Sequence, residues 1–268
     1  MTTSALRLLY PSDCFQPKQP DEVYAEEYEA AVAAGLPVSL FSFEEFQSGD
    51  FKLRQKPQPG EIILYRGWML SEMDYRRLHI SVGELGAQMM TSPESYLLCH
   101  HLPRWLSLLP EFTAETKVFA ETDDIAGALK AEGWQGCFLK DYVKSLATDG
   151  GSLVTHLSRI PEIVDKMKKY RGQIEGGVCA RRIESYDPNS EKRFFVFRGV
   201  PFGDDADIPD PVRVAAERIM SPFFTVDTAM RSDGILRIIE LGDGQVSDRK
   251  HWGSETFVRM LRGSSIQV

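Results

Sequence analysis

Cysteine is scarce in this 268-residue chain: Cys14, Cys99, Cys137 and Cys179 lie far apart and form no CxxC pair. That spacing excludes a disulfide framework or a zinc ribbon and fits incidental thiols of a reducing compartment. Long apolar runs are missing as well. Nowhere do about 18 apolar residues follow one another, so no membrane span is expected. The opening stretch MTTSALRLLYPSD has no basic segment followed by an apolar one. The expectation is a soluble, cytoplasmic protein. Positive charge is in deficit, with 31 Lys and Arg against 39 Asp and Glu and a net charge of −8. Affinity for nucleic acid or anionic lipid is built from lysine and arginine, so neither is expected as a partner. A small anion needs only a local basic pocket. Neither GxxxxGK(S/T) nor GxGxxG occurs, which removes the P-loop and dinucleotide-binding folds.

What is present reads as alternating short elements. LRLLY, VSLFSF and EIILYRGWM have strand composition, and DEVYAEEYEAAVAAG between the first two is helical and closes at Gly35. Strand, helix, strand predicts a small parallel α/β unit. Ser71 to Leu109 reads as a helical bridge. From Thr116 the pattern becomes α+β: strands TKVFAE and CFLKDYVK around the helix DDIAGALKAEG, then the helix PEIVDKMKKYRG. The strands VCARRIES and KRFFVFRG, the helix DPVRVAAERIM and the strands FFTVDTAM and ILRIIEL complete the series. Antiparallel hairpins are expected in this second part.

The most informative stretch is FFTVDTAMRSDGILRIIELGDG. Asp233-Gly234 predicts a two-residue type I′ turn, where both central residues take positive φ. A turn centred there sets Asp227 opposite Glu240, with Cβ atoms about 5 Å apart on one face. Two such carboxylates repel unless a cation or a shared proton separates them. Mg²⁺ is commonly held by one or two carboxylates plus substrate phosphates. The alternative is an exposed strand pair whose acids tolerate each other.

Lys140 and Lys144 in FLKDYVKS share one strand face, and Lys140, between apolar neighbours, is costly to bury unless its charge meets an anion. Snorkelling to solvent is the plain alternative, above all for Lys144. The loop Gly150-Gly151-Ser152 that follows offers backbone N–H groups to phosphates, although a glycine pair is a weak signal. Arg193 either pairs with Glu191 on its own strand face or aims a guanidinium at a phosphoryl group. Arg66 ends an apolar strand just before a glycine, where α/β units place ligand-binding residues; it holds a substrate carboxylate or caps the strand.

In order and spacing, LYRGWML, TSPESYLLCHHLP, FLKDYVKS, EKRFFVFRG and IIELGDGQVSD resemble the ATP-grasp superfamily, and within it the clade named for one arginine and two lysines. The likeness runs from about Glu61 almost to the C-terminus. It implies an ATP-grasp fold, two α+β subdomains sandwiching ATP (113–180 and 181–268), preceded by a small α/β pre-ATP-grasp unit with its helical bridge (1–112). It also implies a ligase that uses ATP and Mg²⁺ to activate a carboxylate as an acyl phosphate for attack by an amine. The partners would be small-molecule or peptide carboxylates and amines. Carried over residue by residue, Lys140 and Lys144 match the phosphate-contacting lysines, and Lys117 competes for the place of the first superfamily lysine. Ile183, Glu184 and Ser185 match the adenine hinge, with Glu184 facing the ribose. Arg193 matches the arginine facing the phosphoryl group, and Arg193 and Lys144 are the catalytic candidates. Asp227 and Glu240 match the metal-binding acids. Where the superfamily commonly has asparagine, two residues after that glutamate, this chain has Gly242. Either Asp243 supplies the missing ligand or the ion uses two side chains and more water. A phosphotransferase and a non-catalytic nucleotide-binding module on the same scaffold stand as alternatives. The substrates themselves and the oligomeric state are left open.

Overall fold

The structure, a computed structural model, describes residues 5–143, 153–171, 174–204 and 207–263. Among them are three four-stranded sheets. The first is the expected parallel unit. Strand β1 (Leu6–Pro11) leads through helix α1 (Ala25–Ala33) to β2 (Val38–Phe41). Helix α2 (Phe43–Gln47) then precedes β3 (Ile62–Tyr65). Helix α3 (Glu72–Glu84) starts where the Ser71 hydroxyl accepts a hydrogen bond from the Asp74 N–H at 3.1 Å, satisfying a donor the helix cannot. It leads to β4 (Gln88–Met89), a two-residue strand that the sequence did not announce. The sheet order is β2-β1-β3-β4, all parallel.

Two helices, α4 (Pro93–His100) and α5 (Leu102–Leu106), cross to the second sheet. That sheet contains β5 (Thr116–Phe119), β6 (Cys137–Asp141), β7 (Leu153–Val154) and β8 (Val178–Arg181) in the order β5-β8-β6-β7. Helices α6 (Ile125–Ala131) and α7 (Ile160–Arg171) pack on one face, burying Leu129, Leu139, Ile160 and Ala180. The other face, carrying Phe138, Lys140, Cys179 and Arg181, looks toward the third sheet: antiparallel pairing sets Lys140 beside Cys179 and Phe138 beside Arg181.

The third sheet is β10-β9-β11-β12, built from β9 (Lys192–Phe197), β10 (Val200–Phe202), β11 (Phe223–Met230) and β12 (Leu236–Asp243). Its even-numbered β11 residues, Phe224 and Val226, pack with Phe194, Ile238 and Leu241 on α4, α5 and helix α8 (Asp210–Arg218). Its odd-numbered residues face the parallel unit and a final helix, α9 (Ser254–Gly263), where Phe195, Phe197, Phe223, Trp252 and Phe257 form an aromatic cluster with Leu8 and Leu64. This period-two alternation makes β11 a strand buried on both faces. Among the described residues, no helix is long and apolar enough to cross a membrane.

Candidate functional site

The β11–β12 hairpin brings Asp227 opposite Glu240, by a route other than the two-residue turn expected. Positive φ falls on Gly234 alone (+86°), while Asp233 is not left-handed. The Arg231 carbonyl accepts from the Gly234 N–H, and the Ile235 carbonyl from the Arg231 N–H, both at 2.8 Å. This is a three-residue loop closed by a left-handed glycine. Such a loop shifts the register by one, pairing Met230 with Leu236 and Thr228 with Ile238. A β-bulge at Ile239 restores it before Glu240. Without that extra residue Glu240 would oppose Val226 on the apolar face. The bulged Ile239 carbonyl does not go unpaired, because Arg181 on the second sheet donates to it at 2.6 Å.

Each acid has a cation beside it. Asp227, 2% exposed, receives a two-pronged bond from Arg193, Nε at 2.8 Å and Nη2 at 2.6 Å. Arg193 Nη1 binds the backbone and side-chain oxygens of Asp248 at 2.9 and 2.7 Å. This corrects the reading that pairs Arg193 with Glu191. Glu191 pairs with Lys250 instead, and the guanidinium holds Asp227 and the following loop. Lys250 also reaches Asp227 Oδ2 at 3.3 Å. On the facing sheet, Lys140, only 7% exposed, points Nζ at Glu240 Oε1 across 3.5 Å. Arg181 is buried next to it on the same face. Burial pulls its pKa down, and its Nη2 finds no hydrogen-bond partner among the described residues.

Between these sheets the chain passes through Ile183, Glu184 and Ser185. Ile183 is 42% exposed, and the Ser185 carbonyl accepts from the Ser232 N–H at 2.9 Å. Glu184 accepts from the Tyr186 hydroxyl (2.6 Å), Arg231 (2.8 Å) and Arg237 (3.0 Å). Burial opposes its charge, but these donors outweigh it and hold its carboxyl below the usual range. Its carboxylate braces the hinge onto the hairpin. Lys117 lies on the face opposite Lys140, paired with Glu132 at 2.5 Å. Lys144 and the Gly150–Ser152 loop lie outside the described residues.

The model of the ATP-grasp domain, family 3 of the clade named for one arginine and two lysines, matches residues 99–261. The chain belongs to that family. No curated protein matches it in sequence. Among solved structures it resembles the ATP-grasp ligase PsnB complexed with its minimal precursor, at 13% identity and TM-score 0.62, covering 98% of this chain and 99% of that one. The D-cycloserine synthetase DcsG gives 16% identity and TM-score 0.62 over 97% and 99%. D-alanine–D-alanine ligase from Bacillus anthracis gives 10% identity and TM-score 0.61 over 98% and 97%. At such identities the likeness speaks for the fold, and the fold is the ATP-grasp fold expected from the sequence.

Two site expectations for this ATP-grasp chain need correction. Asp243 is three residues beyond Glu240 and so faces the other side of β12, opposite Phe224 on the apolar face. It accepts from the Gln245 N–H and Nε2, both at 3.0 Å, and Oδ2 has no partner among the described residues. It does not join Asp227 and Glu240, and no group of three or more His, Cys, Asp or Glu forms a metal cage among the described residues. Arg66, the expected substrate-carboxylate receptor, is 1% exposed and already occupied. Nε and Nη2 bind Glu27 at 2.8 Å each, and Nη1 binds the Gly244 and Ser247 carbonyls, the latter at 2.9 Å. It fastens the loop after β12 to the parallel unit. That loop needs glycine at 244, where a Cβ would lie 2.6 Å from the Phe223 ring.

Burial pushes the Asp243 carboxyl up to about 7, against the pull of its Gln245 bonds. The unfolded chain releases that proton near pH ~4, so the folded state binds it more tightly in between. Stability is therefore greatest below that value, falls as pH rises toward about 7, and levels off above it. Asp243→Asn keeps the acceptor for Gln245 and removes the titration. Its advantage over the parent protein should be larger at pH 8 than at pH 5 in urea melts. Parallel pH profiles for the two proteins would show that the carboxyl is already ionised when folded.

Sequence reasoning missed Glu27, Arg181, Asp248 and Lys250. Glu27 carried a signal, an acid inside a helix with apolar neighbours. The other three gain their place only through contacts between distant segments.

Proposed function

We propose that this chain is an ATP- and magnesium-dependent ligase that activates a carboxylate for attack by an amine. The observation that carries the reading is the bulged hairpin, which sets Asp227 and Glu240 together opposite Lys140 and Arg181 on the facing sheet. Family membership supports it, as do neighbours described as a synthetase and as ligases, one of them in complex with Mg and ADP.

The residues present fit a magnesium nucleotide. Two carboxylates suit Mg²⁺, which takes its remaining ligands from phosphates and water. Cationic side chains already stand against both acids, and the buried Arg181 Nη2 is a donor without a hydrogen-bond partner among the described residues. Asp227 and Glu240 would hold the ion, whose contribution is to neutralise charge on the phosphates. Lys140 and Arg181 hold phosphate oxygens, with Lys144 as the second clade lysine. Backbone of Ile183 and Ser185 meets adenine. Arg193 fixes the Asp227 carboxylate in place, so no reorganisation is needed when charge moves. In the functional division of the chain, residues 1–112 serve substrate binding, while 113–180 and 181–268 close over the nucleotide.

The chemistry balances in two steps. A carboxylate oxygen bonds to the γ-phosphorus and the bond to ADP breaks. The amine then bonds to the acyl carbon, inorganic phosphate leaves, and the amine nitrogen gives up a proton. Neutralisation and alignment are what the protein contributes.

Calorimetric titration of ATP with and without Mg²⁺ tests the site. Micromolar binding with Mg²⁺ that is much weaker without it, and that Lys140→Ala lowers roughly tenfold or more through loss of a charged phosphate contact, is expected. Appearance of ADP and phosphate only when carboxylate and amine are both present would identify the ligase. A stable phosphorylated product would point to a phosphotransferase, and binding without turnover to a nucleotide-binding module. No ATP binding at all would overturn the reading.

A further inference from the structure

Next to Lys250, which reaches Asp227, lies a cleft of about 640 Å³, at the C-terminal end of β3, where the loop after β12 crosses the parallel unit. Clefts of roughly 300–1,000 Å³ suit a single small molecule. One wall is apolar and aromatic. Trp68, 40% exposed, meets Tyr24 edge to face at 5.5 Å, and Met69 and Val23 extend the surface. The Trp68 carbonyl accepts from the Tyr65 hydroxyl at 2.7 Å, which fixes this wall to the core. The opposite wall is Asp248, Arg249 and Lys250.

Three cationic side chains border the space, and they differ in how firmly they are held. Arg66 is saturated by Glu27 and two carbonyls. Arg249 binds the Trp252 carbonyl at 2.8 Å and Glu26 at 3.0 Å. Lys250 rests on the half-exposed Glu191 and, at 3.3 Å, on an Asp227 oxygen that Arg193 already holds at 2.6 Å. Its backbone takes φ +48°, one of two non-glycine residues in the left-handed region among those described. Such a conformation is unfavourable for a residue with a Cβ and persists where the surroundings enforce it. Here Asp248 Oδ1 accepts from the Lys250 N–H at 3.0 Å while also bound to Arg193, so the position of Lys250 is tied to that of Asp227.

We propose that Lys250 is the carboxylate receptor of this cleft, and that the acid activated by the enzyme has an aromatic or apolar body lying on Trp68 and Tyr24. The proposal rests on the ligase reading and names its substrate class. In the nucleotide-free protein the ammonium covers Asp227. A divalent ion that claims Asp227 leaves the ammonium on the half-exposed Glu191 alone, from which it turns to an acid in the adjoining cleft, so the acid binds after the magnesium nucleotide and next to its terminal phosphate.

The test is calorimetry with 3-phenylpropionate as the probe acid, titrated into the full chain alone and saturated with Mg²⁺ and a non-hydrolysable ATP analogue. Binding is expected only in the saturated protein. It should fall roughly tenfold in Lys250→Ala, since a charge-assisted contact is lost, and recover in Lys250→Arg. Propionate, lacking the ring, should bind more weakly than the probe, and benzylamine should not compete. Affinity of Lys250→Ala for the magnesium nucleotide should hold or rise, because an ammonium no longer competes for Asp227; a merely structural lysine would not give this split. Nucleotide binding without probe binding, equal probe affinity in Lys250→Ala, or displacement by benzylamine would each overturn the proposal alone. Failure of the parent protein to bind the nucleotide would overturn the ligase reading and this proposal with it.

Discussion

Glu240→Gln is expected to weaken magnesium-ATP binding about a hundredfold while moving the melting temperature by no more than about 3 °C. The two numbers separate because Glu240 and Asp227 are built differently. Asp227 is buried under a two-pronged arginine, so changing it would strand a buried guanidinium and cost stability. The Glu240 side chain is 23% exposed, and its contact with Lys140 is long at 3.5 Å. Glutamine has the same shape and can still accept from Lys140. What it lacks is the charge a hard divalent ion requires. The decisive control is ATP without Mg²⁺. There the variant should bind as well as the parent, or better, because a neutral amide competes less than a carboxylate for the lysine that meets the phosphate. An equal loss with and without the ion would mean that Glu240 acts by orienting Lys140, and the metal assignment would have to move elsewhere.

The sequence made the pairing of Asp227 with Glu240 legible because strand period and a strong turn dipeptide are local signals. Yet it reached the right pair through the wrong turn. The three-residue loop and the bulge at Ile239 offset each other, and neither is announced by a glycine or proline at 239. The parallel unit was readable for a similar reason: each strand and helix carries its own composition, and the crossover rule assembles them. What was not legible was every partner drawn from a distant segment. Arg193 finds Asp227 34 residues away instead of its near neighbour Glu191, and Arg66 finds Ser247 at a separation of 181. Periodicity says which face a side chain takes. It does not say what a second sheet will place there. Asp243 shows the converse: its face was readable from a spacing of three beyond Glu240, and the asparagine missing at Gly242 drew the ligand role onto it.

The buried tie between Arg66 and Glu27 carries the second large expectation. Glu27→Ala should cost on the order of 4 kcal/mol, the scale for stranding one partner of a buried ion pair. At about 2–4 °C per kcal/mol for a chain this size, the melting temperature should fall by roughly 10 °C. Glu27 is 2% exposed and accepts two bonds from Arg66 and a third, at 3.1 Å, from the Tyr10 hydroxyl. Removing it leaves a guanidinium only 1% exposed with the Gly244 and Ser247 carbonyls as its remaining acceptors. Glu27→Gln, which keeps acceptor geometry without the charge, should lose about half as much; neutral hydrogen bonds are roughly half as strong as charged ones. Scanning calorimetry of the three proteins checks the order. The functional consequence follows from geometry: Arg66 holds residues 244–247, the next residue is the Asp248 that holds Arg193, and Arg193 holds Asp227. A loosened Arg66 should therefore weaken magnesium-nucleotide binding without touching the nucleotide. If Glu27→Ala instead left stability unchanged while abolishing only substrate binding, Arg66 would be a receptor with slack to spare, and the role of strut assigned to it here would be wrong.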